Sequence, residues 1–176
     1  MRLPRLPWRR VTSGRALPWV LATVFLATSL VNWWLLRSDR RHDAQVATVE
    51  TTARRFLTTL TTFSASTIDG DVRRIKSFAV GDFAGQVQQT FSPARIAQIR
   101  SAKVVSAGRV QHVFVEDLSG TQATVFGVVS ETVTNKSNPA PRADLLRVEV
   151  GMIDTTGGWR VNSVNILQSP GSTGVP

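Results

Sequence analysis

Residues 16–36, ALPWVLATVFLATSLVNWWLL, run for 21 positions without a charged side chain. No other feature constrains the chain as tightly, because a helix of that length rises about 30 Å, the thickness of a bilayer's hydrocarbon core. The run predicts one membrane-spanning helix. Five arginines precede it (Arg2, Arg5, Arg9, Arg10 and Arg15) with no acid among them, whereas the following RSDRRHD mixes three arginines with two aspartates. That asymmetry predicts a cytoplasmic segment over 1–15 and an extracytoplasmic placement for everything beyond residue 36. Trp19 at one end of the run, with Trp33, Trp34 and Arg37 at the other, match the anchors expected at the two interfaces. A cleaved signal peptide would need an apolar core of roughly 7–15 residues and a small-residue cleavage site. The run ends in WWLLR, with no such site behind it.

The formal charge of +9 raises the question of nucleic acid, and its location answers it. Residues 1–41 hold eight arginines and one aspartate, a net +7, leaving 13 basic and 11 acidic side chains, a net +2, for the rest. The basicity belongs to the anchor, where arginines are drawn to anionic lipid headgroups at about 1 kcal/mol each. The exported part has no basic stripe interleaved with aromatics, so nucleic acid is not an expected partner. Cysteine and tyrosine are absent and the histidines number two, His42 and His112. Disulfides, thiolate zinc sites and cysteine nucleophiles are thereby excluded. An exported domain of about 130 residues is large enough to rest on its core alone.

Beyond the anchor, a juxtamembrane helix is expected over 38–66, its apolar stripe formed by Val46, Val49, Ala53, Phe56, Leu57, Leu60 and Phe63. That stripe is either the domain's own core or a surface for a partner. Seven threonines between Thr48 and Thr62 lower the intrinsic propensity, so packing must hold the helix. A second helix begins after Ser66 or Thr67 as cap, with Ile68, Val72, Ile75 and Ala79 on one face and Asp69 and Asp71 in its first turn. Phe83, Val87 and Phe91 mark a third, and Ser92-Pro93 opens a fourth. After Ala102 the period changes to two, giving strands over 104–116, 122–133, 145–153 and 159–167. In the third of these, Leu146, Val148, Val150 and Met152 share a face opposite Arg147 and Glu149. In the fourth, the apolar parity switches between Val161 and Val164, which a bulge near Asn162 and Ser163 would reconcile. The tail, 169–176, reads as disordered.

Helices followed by a meander argue for one α+β domain over 38–168, helices packed on a four-stranded antiparallel sheet. The order suits the cone-like fold of nuclear transport factor 2 and its cystatin-like relatives.

Chemistry is hard to find in this chain. Asp69-Gly70-Asp71, with Asp82 nearby, lacks the closing Glu of a calcium loop, since position 80 is Val, and helix capping accounts for the aspartates. His112, alone in the first strand, and His42 beside the membrane form no metal pair, and Arg142 and Asp144 fall in a loop. No nucleophile elbow, phosphate loop or zinc-protease motif is present. No enzymatic activity, cofactor or metal is expected. An apolar pocket in the cone would look identical to core in sequence, so a lipid held there remains an open alternative.

Several segments in order, ARRFLTTLTTF, TIDGDVRRI with AVGDF, SETVTN, PRADLLRVEV and GWRVNSVNI, resemble the Mce-associated membrane proteins of actinobacteria. These are accessory subunits encoded beside mammalian-cell-entry lipid transporters. The likeness covers about residues 40–167 and the span before them. It implies a single-pass anchor with an extracytoplasmic domain of the nuclear-transport-factor-2-like class, related in shape to an inner-membrane scaffold of type IV secretion systems. It further implies a non-enzymatic role in assembling Mce-type complexes that import lipids or sterols, with transporter subunits as partners. The rival readings are a scaffold of a secretion or conjugation apparatus and an envelope lipid-binding module.

The topology is testable by fusion. A reporter active only in the cytoplasm should be silent when joined after Pro176, and the mature protein should retain residues 16–36. Reporter activity, or a mature N-terminus beyond Leu36, would contradict the anchor.

Overall fold

Helix α1, described over residues 42–61, seats itself across the sheet at two glycines, and the rest of the domain is arranged around that seat. The computed structural model describes residues 42–168; the chain divides into two units, Met1–Asp43 and Ala44–Pro176, and all described residues but His42 and Asp43 belong to the second. The expected span at 16–36, its anchors Trp19, Trp33, Trp34 and Arg37, the basic segment 1–15 and the tail 169–176 lie outside those residues. Among the described residues no helix is long and apolar enough to cross a membrane.

The described part of α1 covers residues 42–61. After it come β1 (Phe63–Ser64), α2 (Ile68–Phe78), α3 (Gly81–Thr90), α4 (Pro93–Ser101), β2 (Val105–Ser119), β3 (Gln122–Thr134), β4 (Arg142–Thr155) and β5 (Gly158–Gln168). The strands form one antiparallel sheet in the order β1-β2-β3-β4-β5. The fold is α+β and nuclear-transport-factor-2-like, with helices packed on one face of the sheet. Five strands stand where the pattern predicts four, because β1 is too short to carry a period.

The juxtamembrane helix expected over 38–66 stops at residue 61. Phe63 lies three positions beyond Leu60 and so imitates the helical stripe, yet it pairs with Ser106 as an edge strand, and buried Thr61 takes the next inward position of the helix. The helix ends at Thr61, and Thr62 Oγ1 then accepts from Gly108 N at 3.2 Å.

Alternation decides the facing of the sheet. Val125, Gly127 and Val129 of β3 and Leu146, Val148, Val150 and Met152 of β4 point to the helices, while Arg147 and Glu149 point away. In β5, Val161 pairs with Met152 and Ser163 with Gly151, so Asn162 is the extra residue of a bulge that keeps both Val161 and Val164 inward. Two further bulges in β2, at Gln111 and Glu116, let that strand run three residues past Glu116 to a two-residue turn, where Gly120 takes φ +58°. β4 likewise begins early, so Arg142 and Asp144, expected in a loop, are strand residues opposite Val133 and Glu131.

Gly108 and Gly127 both face α1. A Cβ on Gly127 would lie 2.5 Å from Leu57 Cδ1, and one on Gly108 would overlap the Thr61 side chain. Leu57 and Thr61 are one helical turn apart, so the two strands accept successive turns of α1 at backbone distance. Above this contact Phe56 meets the rings of Phe78 at 5.8 Å and Phe83 at 5.5 Å, tying α2 and α3 to α1.

Gly127→Ala should destabilise the domain by about 1–3 kcal/mol, and Gly108→Ala by more, since Thr61 presents Cβ and backbone there rather than a flexible tip. In chemical denaturation, Leu57→Val should recover part of the Gly127→Ala loss, with a coupling of about 0.5 kcal/mol or more. Strict additivity would show that helix and strand do not touch at that point.

Candidate functional site

The expected stripe divides when placed in the structure. Val49, Ala53, Phe56 and Leu57 are fully buried in the domain's own core, with Leu60 packed against it. Val46 is only half-buried, lying one turn before fully buried Val49, and Phe63 belongs to β1. The buried part of α1 is therefore closed to a partner.

The polar candidates also separate. Asp71 is buried, its Oδ2 accepting from Ser64 N at 3.2 Å and Thr67 Oγ1 at 2.7 Å, while Oδ1 pairs with Arg74. Its oxygens are thus committed to holding β1 against α2. Thr67 stands at the N-cap position, yet its hydroxyl makes no capping bond because it donates to Asp71. Asp69 faces solvent and pairs with Arg100, bracing α4 against α2. Ser92 does cap α4, accepting from Arg95 N at 3.5 Å, with Pro93 beside it. Among the described residues no three His, Cys, Asp or Glu side chains group as a metal ion requires.

What remains is the face of the sheet that no helix covers. The bulge at Gln111 turns His112 outward, where its ring stacks on Phe114 at 5.8 Å and 11°. Phe114 sits opposite Phe126, which sits opposite Glu149, and His112 opposite Val128, which sits opposite Arg147. One step along, Ser130 adjoins Leu145. Phe114 is 56% exposed and Leu145 48%. An aromatic pair on neighbouring strands, with an aliphatic residue and both signs of charge around it, has the make-up of a protein-interaction core with a polar rim. The sequence signal for this face is the spacing of Val110, Val113, Val115 and Leu118, whose steps of three, two and three encode the bulges.

A family model described as "Uncharacterized protein Rv1363c/MT1408-like" matches residues 11–167. The chain belongs to this family. A comparison with curated proteins finds no match. Among solved structures, the domain of this Rv1363c/MT1408-like chain is similar to the VirB8 protein of Agrobacterium tumefaciens, at 14% identity and a TM-score of 0.58 over 72% of this chain and 94% of that one. It is similar to an IcmL-like type IV secretion system protein of Legionella pneumophila, at 13% identity and 0.57 over 70% and 94%. It is also similar to CagV of Helicobacter pylori, a VirB8 homolog, at 15% identity and 0.56 over 69% and 99%. At these identities the likeness establishes the fold.

At the edge of the helical layer a cavity of about 200 Å³ opens between Leu60, Phe83, Val87, Phe91, Val164 and Ile166. It is smaller than the roughly 300–1,000 Å³ usual for ligand pockets.

The two aspartates predict opposite outcomes. Asp71→Ala should cost about 2–3 kcal/mol, because the Ser64 N–H and Thr67 hydroxyl lose a buried acceptor, while Asp69→Ala should cost under about 1 kcal/mol. Urea denaturation of both variants decides it; equal losses would contradict the assignment.

Proposed function

We propose that this chain is a non-catalytic scaffold subunit of a multiprotein assembly in the cell envelope. In this reading it is held by a single membrane span, and docks partners on the outer face of its sheet. The observation that carries the proposal is the pair Phe114 and Leu145, large apolar side chains left half exposed on the face opposite the helices. The basic segment 1–15 and the apolar run at 16–36 support the anchoring, with anionic headgroups attracted to the arginines. The absence of cysteine and tyrosine from the chain supports a role without catalysis.

For the partner set, the likeness of fold to VirB8, CagV and an IcmL-like secretion protein supports a secretion or conjugation apparatus. A second reading, a stabilising subunit of an Mce-type lipid importer, is favoured by the order of segments from ARRFLTTLTTF to GWRVNSVNI. Both use the same face and differ in what it binds.

Phe114→Asp with Leu145→Asp should leave the melting temperature nearly unchanged, since both side chains are already exposed. The same variant should lose its co-purifying envelope proteins from native membranes, and their identity in the wild type separates the two partner sets. Full retention of partners by the variant would refute docking on this face.

A further inference from the structure

A groove of about 570 Å³ lies between α1 and α2, walled by Arg54, Arg55 and two threonines on one side and by Arg74, Ser77 and Phe78 on the other. Three arginines line it. The groove is open to solvent and its arginines are exposed, so their charges gather there without being desolvated. Two are offset: Arg54 Nη2 stands 3.4 Å from Glu50 Oε1, and Arg74 pairs with buried Asp71. Arg55 forms no ion pair among the described residues.

The hydroxyls add no donors. Thr58 Oγ1, Thr59 Oγ1 and Ser77 Oγ donate to the carbonyls of Arg54, Arg55 and Arg74 at 2.9, 2.8 and 2.7 Å. The walls therefore offer guanidinium N–H groups, and Phe78 supplies an apolar surface beside them. Guanidinium forks match paired anionic oxygens, and a phosphate presents enough oxygens for two neighbouring forks at once where a carboxylate presents two.

We propose that this groove binds a phosphate-bearing ligand, Arg54 and Arg55 taking its oxygens and Phe78 lying against its apolar portion. A lipid headgroup and a soluble organic phosphate carry the same chemistry. The site is separate from the outer sheet face and does not depend on which partners that face docks.

The test uses the full chain in two arms. In neutral-detergent micelles it is titrated calorimetrically with glycerol 3-phosphate at fixed ionic strength. In nanodiscs of phosphatidylcholine, with and without phosphatidylglycerol, retained phosphatidylglycerol is counted by native mass spectrometry. Each arm compares the wild type with Arg54→Gln/Arg55→Gln, which keeps helix propensity and leaves the N-terminal arginines untouched. Saturable binding is expected in at least one arm, about tenfold or more weaker in the variant at unchanged circular dichroism. Binding in micelles identifies a soluble ligand, and binding in nanodiscs alone identifies a headgroup. No saturable binding in either arm, equal binding by the variant, or full reproduction of the signal by sulfate overturns the proposal. Should the double variant lose its fold, Arg55→Lys keeps the charge without the fork and should weaken binding several-fold; no change there also overturns it.

Discussion

The contact between α1 and the strands beneath it exists because two residues of the sheet have no side chain. Gly108 and Gly127 let Thr61 and Leu57 approach to backbone distance, closer than any Cβ would allow. Once α1 is seated there, Phe56 is fixed at the height where Phe78 and Phe83 meet it, so α2 and α3 take their places from α1. The end of α1 is placed by the same contact. Ser106 Oγ donates to Thr61 O at 2.6 Å, so the helix terminus is bonded to β2 where Phe63 must begin pairing.

Seating every helix on one side leaves the other side of the sheet to solvent, and this asymmetry connects fold to function. An antiparallel sheet with a wet face ordinarily shows polar side chains there. Thr124, Ser130 and Thr132 of β3 follow that rule, whereas Phe114, Phe126, Val128 and Leu145 depart from it. The departures cluster around neighbouring register positions, and clustering of apolar surface is what distinguishes a docking face from scattered exposure.

Periodicity carried most of the fold into view. The 3.6-residue stripe from Val49 to Leu57 and the strict alternation of β4 each report burial directly, so they are legible in one sequence. The bulge at Asn162 was legible too, because it reverses the parity of β5 visibly. What escaped had no periodic signature. β1 is two residues long, the β2 bulges shift parity twice and so cancel, and a glycine needed for close approach is indistinguishable in sequence from one in a turn. The outer face was hidden for a related reason: whether His112 points in or out depends on an extra residue, Gln111, whose trace is the irregular spacing of Val110, Val113, Val115 and Leu118 and not a regular period. The groove between α1 and α2 joins Arg54 and Arg55 to Arg74, a meeting set by tertiary packing.

The central claim, that the uncovered sheet face is where this chain meets its partners, is tested most directly by site-specific photo-crosslinking in living cells. A photoreactive side chain is placed at Phe114 or Leu145 on that face, and at Gln88 or Ala97, exposed positions on α3 and α4, as controls. The account predicts crosslinks from Phe114 and Leu145 to another envelope protein and none to that protein from the helical positions. Crosslinks from the helical positions with none from the sheet face would contradict it.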